Sequence, residues 1–495
     1  MSLGDGLLNE DEGVSEKDLI HRNTAWSAQA SADDAASLDY DYSGLRETLQ
    51  RYFASRATKP LQWRQSQLQA LLRMLTDNKD ALSDALYKDL GKCKQEAYVT
   101  EIAFLQADIK HALKHIKSWM KPVRKSSPLV AMPAKSYIVP EPLGAVLIIG
   151  AWNYPIQLTL SPLIAAICAG NCAVIKPSEL AEHSSAIMAK LLPEYLDKKA
   201  FAVVEGGKDQ TSALLAEPFD KFFYTGGEQV GKIVMRAASE HLTPVTLELG
   251  GKSPCVVDSN IDFKIAANRI VWGKWMNVGQ TCIAPDYVLI EQDAVDDFIA
   301  AMKQAIESQY STEPKSSKEY GRIVNQRHCQ RLASYLEGQD VIYGGQIDVQ
   351  ERYISPTMVL NPEASSKIMQ EEIFGPLLPI IVMPTKQAIV EFINKRPHPL
   401  AAYLFTQDKD FEQVFVNNVT AGNMCINDCS MFMLNHNLPF GGVGTSGMGR
   451  YHGKFGFDTF SHEKTVMRRS FKLENAFRYA PFTKFKSFML NRFIG

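Results

Sequence analysis

The fold is decided by residues 146–179, VLIIGAWNYPIQLTLSPLIAAICAGNCAVIKPSE, the most apolar part of the chain. The stretch 146–170 is long enough to cross a bilayer, but Asn153 and Pro155 interrupt it. A buried strand, a helix and a second buried strand explain this pattern better than one membrane-spanning helix does. The segment therefore predicts a strand–helix–strand unit inside a globular core.

The same alternation extends over residues 143–251. Its strand-like runs are VLIIG (146–150), CAVIKP (172–177), FAVVEGG (201–207), FFYTGG (222–227) and VTLELGG (245–251). Near-continuous apolar strands that alternate with helices indicate a parallel, doubly wound sheet. Because ligands bind such sheets outside the carboxyl ends of the strands, we expect a site where polar residues follow these runs.

The flanking segments complete the α/β architecture. Residues 44–120 repeat apolar side chains at helical spacing, and the proline-rich segment 121–142 predicts an exposed hairpin or arm. A second α/β run covers 252–430. Residues 1–42 are polar and acidic without sustained periodicity, which predicts a flexible extension.

The composition narrows the class of protein. The 495 residues are 45% hydrophobic and carry a formal net charge of -2, which argues against a dedicated nucleic-acid binder. The eight cysteines are scattered, and neither CxxxC pair has a histidine at zinc-like spacing, so we expect neither a disulfide framework nor a metal site. The acidic N-terminus lacks a signal-peptide pattern, which predicts a cytoplasmic protein.

Three polar residues are candidates for chemistry. Cys282 follows a Gly-Gln-Thr turn in NVGQTCIAPD (277–286), where backbone N–H groups can stabilise a thiolate. Glu248 interrupts the apolar run VTLELGG, and burial there would raise its pKa, as suits a general base. Asn153 can stabilise an oxyanion at the end of a strand. Taken singly, each has a plainer explanation: a structural cysteine, a salt-bridged glutamate and a turn-forming asparagine.

Two further motifs suggest nucleotide binding. The turn TGGEQVG (225–231) places Gly226 and Gly231 between a strand and a helix, whose N-terminus can bind phosphate. It is neither a Walker A motif nor the GxGxxG fingerprint. Lys176 and Glu179 in KPSE can bind ribose hydroxyls, and the alternative is a helix start capped by Ser178.

Together, these motifs resemble the aldehyde dehydrogenase family. They occur in order between about residues 45 and 470 and look most like the class 3 branch, which handles aromatic and medium- to long-chain aldehydes. The motifs are GAWNYP, IKPSE, the YTGG turn with Gly231, LELGGKSP, GQTCIAPDY, EEIFGP (371–376) and LPFGGVGTSGMGRYHG (438–453). The resemblance implies oxidation of an aldehyde to a carboxylate with NAD or NADP.

The resemblance also implies roles for single residues. Cys282 would be the nucleophile that carries a thioester, Glu248 the general base that hydrolyses it, and Asn153 the oxyanion donor. The positions implied to contact the cofactor are Trp152, Lys176, Glu179, Thr225, Gly226, Gly227, Gly231, Leu249, Glu372 and Phe374. Gly227 stands where serine is usual. Tyr154 and Trp275 are candidates for an apolar substrate pocket, although core packing explains Trp275 better.

The predicted domains follow from the same likeness. They are an extension (1–42), a variant Rossmann cofactor domain (43–120 and 143–250), an oligomerisation arm (121–142 and 459–470) that supports a homodimer, a catalytic domain (251–430), a segment returning to the cofactor domain (431–458) and a C-terminal tail (471–495).

Several alternatives stay open at this point. The enzyme could instead pass its acyl group to coenzyme A, although retention of Glu248 favours hydrolysis. A non-catalytic binding or structural protein on the same scaffold would be expected to lack the nucleophile or base. The C-terminal tail, too short and charged to span a membrane, could contact a membrane surface or a partner subunit.

Overall fold

A computed structural model describes residues 40–472, 474 and 478–494. Most of the extension predicted at 1–42, and parts of the tail 471–495, lie outside the described residues. The helices are α1 (Tyr42–Ala54), α2 (Leu61–Asp77), α3 (Lys79–Leu90), α4 (Lys94–Ala97), α5 (Ala103–Trp119), α6 (Gln157–Ala169), α7 (Glu182–Tyr195), α8 (Lys208–Ala216), α9 (Glu228–His241), α10 (Phe263–Trp275), α11 (Val295–Tyr310), α12 (Gln326–Ser334), α13 (Lys367–Gln370), α14 (Lys386–Asn394), α15 (Lys409–Asn418), α16 (Gly453–Thr459) and α17 (Lys484–Ile494).

The strands form two large sheets and two small ones. They are β1 (Val123–Lys125), β2 (Ala134–Pro142), β3 (Ala145–Ile149), β4 (Cys172–Lys176), β5 (Phe201–Val203), β6 (Lys221–Thr225), β7 (Val245–Glu248), β8 (Pro254–Val257), β9 (Tyr287–Glu291), β10 (Val341–Tyr343), β11 (Ile347–Asp348), β12 (Tyr353–Ile354), β13 (Thr357–Leu360), β14 (Leu377–Met383), β15 (Ala401–Phe405), β16 (Asn423–Ile426), β17 (Gly447–Met448) and β18 (Ser461–Arg469).

The first large sheet has the strand order β17-β7-β6-β3-β4-β5. All its strands are parallel except β17, which pairs antiparallel with β7. Every residue of β3, β4 and β6 is buried, as expected for central strands covered by helices on both faces. The order reverses beside β3, so a crevice for a ligand lies at the carboxyl ends of β3 and β6.

The second large sheet has the order β10-β13-β14-β9-β8-β15-β16 and is parallel apart from the edge strand β10. The prediction of two doubly wound parallel sheets is therefore confirmed. The apolar stretch 146–170 forms most of β3 and all of the buried helix α6. Within the described residues, no helix is long and apolar enough to cross a membrane.

A separate antiparallel sheet joins β1, β2 and β18. β2 pairs with β18 over nine residues, from Pro142 opposite Ser461 to Ala134 opposite Arg469. The proline-rich segment 121–142 thus forms an arm with the strand near 459–470. Its part in oligomerisation remains a prediction.

The chain passes from one large sheet to the other between β7 and β8. The segment 431–458 returns to the first sheet, where Gly447 of β17 lies opposite Glu248 of β7. Residues that follow β3 and β7 thereby meet the turn between α10 and β9, which belongs to the second sheet. This meeting point positions the candidate site.

Candidate active site

Cys282 lies in a tight turn between α10 and β9. Asn277, Val278 and Gly279 have positive φ angles of 51°, 58° and 73°. This left-handed conformation is unfavourable for a branched residue such as valine and persists only where the surroundings hold it. The backbone N–H groups of Cys282 itself and Ile283 lie close enough to the sulfur to lower the pKa of the thiol. The turn therefore directs backbone donors at the sulfur.

The electrostatic surroundings of the thiol oppose its ionisation. Burial raises the pKa of Cys282 to about 12, and the carboxylates of Glu372 and Glu248 contribute to the rise. The backbone N–H groups act in the opposite direction without cancelling it. The thiol form therefore predominates at neutral pH in this structure.

Glu248 is the last residue of β7. Its side chain is 2% exposed, and neither carboxylate oxygen has a hydrogen-bond partner among the described residues. Burial raises its pKa well above the usual value for glutamate. A carboxylate in this environment is a stronger base than one in water, and its free oxygens can accept a proton.

Asn153 follows β3 and is 3% exposed. Its Nδ2 donates to the carbonyl oxygen of Gln280 at 3.0 Å, two residues before Cys282. This bond uses one of the two amide hydrogens. The structure thus brings Asn153 to the turn that carries the sulfur, while Glu248 lies close enough to raise the pKa of the thiol.

The two candidate pocket residues differ in their surroundings. Tyr154 is 7% exposed, forms a small apolar cluster with Ala151 and Leu158, and shares a 2.7 Å hydrogen bond with the Thr281 hydroxyl. Trp275 is 1% exposed, and its Nε1 donates to the carbonyl oxygen of Pro376 at 2.9 Å. Trp275 therefore occupies a core position, which is the alternative that the sequence favoured.

At the end of β4, a buried cation lies beside a partly exposed carboxylate. Lys176 is 1% exposed, and its Nζ lies 2.7 Å from the carbonyl oxygen of Pro177 and 3.5 Å from Glu179. The alternative of a helix capped by Ser178 is wrong: Ser178 accepts a bond from the N–H of Leu180 in a turn, and α7 begins only at Glu182. Lys176 and Glu179 therefore lie side by side at the carboxyl end of β4.

The turn after β6 contains glycines at two positions where a side chain would meet neighbouring atoms. Gly226 has a φ of 159°, and a Cβ there would lie 2.2 Å from the Tyr224 hydroxyl. Gly227 caps α9 without a side-chain hydrogen bond, and a Cβ added to it would meet no atom within 4 Å. A Cβ on Gly231 would approach Leu249 to 2.9 Å, so glycine lets α9 pack closely on that residue.

These features fit a nicotinamide dinucleotide. The first N–H groups of the 14-residue helix α9 are free to bind a pyrophosphate. The buried Thr225 hydroxyl, which has no hydrogen-bond partner among the described residues, supplies a further donor beside them.

Glu372 and Phe374 come from the loop between α13 and β14. A Cβ on Gly250 would lie 2.3 Å from both carboxylate oxygens of Glu372, so a larger residue there would displace the carboxylate. Burial raises the pKa of Glu372 to about 8. Phe374 has a φ of 50° and packs edge-on against Trp152, with ring centroids 5.2 Å apart. The predicted cofactor residues thus reach the site from both sheets.

A set of buried and partly buried charged residues beneath this site was not predicted from the sequence. Lys92, Glu96 and Glu101 contact the segments that contain Asn153 and Asn277. Their one local signal is charge inside the helical region 44–120, where the chain forms a π-helical turn at Tyr98–Ile102. Such turns occur often at functional sites.

The cysteines outside the site do not form a metal centre. Cys168 in α6 and Cys172 in β4 are both buried. Within the part of the chain that the structure describes, no group of three histidine, cysteine or acidic side chains could hold a metal ion.

Comparisons with known proteins agree with this arrangement. The family model described as "Aldehyde dehydrogenase family" matches residues 29–466. An aldehyde dehydrogenase from Craterostigma plantagineum is 48% identical over 90% of this chain and 94% of its own length. Aldehyde dehydrogenase family 3 member B1 from Mus musculus is 47% identical over 88% and 94%. A solved structure of the substrate-bound state of Staphylococcus aureus AldH is 45% identical, covers 91% of this chain and 98% of its own, and superposes with a TM-score of 0.89.

Proposed function

Because the chain belongs to the aldehyde dehydrogenase family and oxidises an aldehyde with a nicotinamide cofactor, we propose that Cys282, Asn153 and Glu248 perform the chemistry. The observation that carries the proposal is their convergence. Cys282 comes from the second sheet, Asn153 and Glu248 come from strand ends of the first, and the three meet between the sheets. A nucleophile, an oxyanion donor and a base are the parts that this oxidation needs.

In the first step, the Cys282 thiol loses its proton to solvent, and the resulting thiolate attacks the carbonyl carbon and forms a thiohemiacetal. The negative charge that develops on oxygen is stabilised by the second Nδ2 hydrogen of Asn153 and by the Cys282 backbone N–H. Losing one such donor typically slows catalysis about 100- to 1,000-fold. When bound, the cofactor would supply the acceptor for the hydride that leaves the thiohemiacetal carbon, and a thioester would remain on Cys282.

In the second step, Glu248 removes a proton from water, which attacks the thioester on Cys282. The unpartnered oxygens of Glu248 and its raised pKa suit this role. A carboxylate product then leaves the site. Transfer to coenzyme A would instead yield an acyl-CoA and no free acid.

The cofactor would lie across the carboxyl edge of the first sheet. Thr225, Gly226 and Gly227 with the N-terminus of α9 would hold the pyrophosphate, and Leu249 would line the same side. Lys176 and Glu179 would hold the adenosine ribose; Glu372, Phe374 and Trp152 would lie beside the nicotinamide ribose. The Glu179 carboxylate would repel a 2′-phosphate, so NAD is the expected preference over NADP.

The proposed substrates are aromatic or medium- to long-chain aldehydes. Apolar side chains near Cys282 support this class: the Tyr154 hydroxyl shares a hydrogen bond with Thr281, the residue before Cys282, and Tyr154 packs with Ala151 and Leu158. The resemblance of the sequence motifs to the class 3 branch implies the same class.

The experiment that tests the function is an aldehyde panel that includes decanal and benzaldehyde, run separately with NAD and NADP. Wild-type protein should form NAD(P)H and free acid, whereas Cys282→Ala should lose activity at least about 1,000-fold while still binding cofactor. Equal oxidation by Cys282→Ala would refute the nucleophile, and acyl-CoA formation without free acid would favour the acylating alternative.

We propose in addition that the protein is a cytoplasmic homodimer. The arm exposes apolar side chains at Val123, Leu129 and Met467. A second copy would shield these groups from water. Light scattering coupled to gel filtration should give twice the 55.2 kDa chain mass, and a monomeric mass would refute the assembly.

A further inference from the structure

A buried ion pair lies beneath the oxyanion donor. Lys92 follows α3 and Glu101 belongs to the π-helical turn; both are 0% exposed, with Nζ and Oε1 2.5 Å apart. Removing two charges from water is costly, and such pairs are often no more stabilising than apolar residues of similar volume. The contacts that the pair makes with the rest of the site suggest another reason for its presence.

The pair holds the chain at the Asn153 peptide and at the start of α6. Lys92 Nζ donates to the Asn153 carbonyl oxygen at 3.0 Å. The second oxygen of Glu101 accepts hydrogen bonds from the N–H groups of Ile156 and Gln157, at 2.9 and 3.1 Å, where α6 begins. The carboxylate thus anchors the helix N-terminus, and the ammonium group anchors the peptide three residues before it.

The Cys282 turn is tied to the same peptide. Asn277 Nδ2 donates to the Asn153 carbonyl oxygen at 2.8 Å and to the Gln280 carbonyl oxygen at 3.1 Å. Asn153 Nδ2 donates to the same Gln280 oxygen at 3.0 Å. Glu96 Oε1 accepts from the N–H of Asn277 at 2.8 Å, which holds the left-handed turn. A closed set of hydrogen bonds therefore links the ion pair to the turn.

We propose that Lys92 and Glu101 are positioning residues that orient the Asn153 amide toward the aldehyde oxygen at Cys282. The proposal rests on the proposed function, in which Asn153 is an oxyanion donor. Such a donor acts only when it is fixed about 2.7–3.1 Å from the developing charge. A displacement of about 1 Å can cost about 100-fold in rate. The pair acts through Asn153 and touches neither substrate nor cofactor.

The test is a double-mutant cycle between this pair and Asn153. The variant Lys92→Met/Glu101→Gln removes both charges together, so neither member of the pair is left as an unpaired buried charge, and the glutamine keeps an oxygen for the helix N-terminus. It should lower kcat about 10- to 100-fold and leave the KM for the cofactor unchanged within twofold. In an Asn153→Ala background, the same two changes should lower kcat less than about threefold, because the residue they orient is gone.

A matched control is Lys409→Met/Glu412→Gln, the same substitutions in a surface ion pair on α15 whose Nζ–Oε2 distance is 2.8 Å. It should leave kcat unchanged in both backgrounds. If the buried double variant does not fold, Asn277→Gly removes the other donor to the Asn153 carbonyl, and glycine tolerates the left-handed backbone. The double-mutant cycle is then measured between Asn277→Gly and Asn153→Ala.

Two results would overturn the proposal. One is a kcat within threefold of wild type in the buried double variant. The other is an equal loss of kcat with and without Asn153, which indicates an independent, structural effect. Failure of the proposed function looks different: Asn153→Ala alone would then keep wild-type activity.

Discussion

Glu372→Gln should make Cys282 more reactive, and the gain should grow with pH. With a pKa of about 12, only about one Cys282 thiol in 10,000 is ionised at pH 8. A like charge nearby typically raises a pKa by about one unit or more, so removing it raises the thiolate fraction about tenfold. Glu372 has a pKa of about 8 and is mostly uncharged at pH 6. The variant and wild type should therefore react equally at pH 6 and differ about tenfold at pH 9.5.

The assay is alkylation of cofactor-free protein by iodoacetamide, with the Cys282 peptide quantified by mass spectrometry between pH 6 and 9.5. Glu371→Gln is the matched control, because that neighbouring carboxylate accepts a hydrogen bond from the Tyr335 hydroxyl at 2.6 Å and is not among the charges that raise the thiol pKa. A rate ratio that stays constant with pH, or slower alkylation in Glu372→Gln, would refute the reasoning.

Three other substitutions test separate parts of the structure. Trp275→Phe loses the hydrogen bond to Pro376 and should lower the free energy of unfolding by about 1–3 kcal/mol in denaturant titrations. A changed KM for aldehydes would instead indicate that Trp275 lines the substrate pocket. Gly226→Ala, whose Cβ would lie 2.2 Å from the Tyr224 hydroxyl, should weaken NAD(P)H binding at least about tenfold in fluorescence titrations, and an unchanged Kd would contradict the predicted turn. Burial raises the pKa of Asp108 to about 7, above its value in the unfolded chain, so the folded protein holds the proton more tightly. The stability that this proton binding provides is fully present below about pH 4 and is lost as the pH rises through 7. In thermal unfolding, Asp108→Asn should therefore be more stable than wild type at pH 8.5 but not at pH 4.5. Equal shifts of the unfolding temperature at both pH values would show that ionisation of Asp108 is not the cause.

The sequence predicts the sheets well because their central strands have a simple pattern of apolar residues. β3, β4 and β6 are continuous apolar runs that end in polar or glycine residues, and burial on both faces requires this pattern. The same logic places Asn153 and Glu248 at strand ends. It fails at Ser178, where a polar residue suited to capping forms a turn and α7 begins later.

The charged residues beneath the site could not be predicted from the local sequence pattern. Lys92 lies 61 positions from Asn153 in the chain, and Glu96 lies 181 positions from Asn277. Contacts over such distances leave no periodic trace, and charged residues in a helical region are ordinarily assigned to the solvent-facing side. The left-handed backbone at Val278 is equally hidden, because its residue type disfavours that conformation.

The central claim is that Cys282 carries a thioester that Glu248 hydrolyses. The most direct measurement mixes Glu248→Gln with cofactor and excess aldehyde, records NAD(P)H in rapid mixing, and then weighs the Cys282 peptide. The account predicts a burst of about one NAD(P)H per active site, little further turnover, and an added acyl mass on Cys282. Sustained turnover at the wild-type rate, or a burst without acyl mass on Cys282, would contradict it.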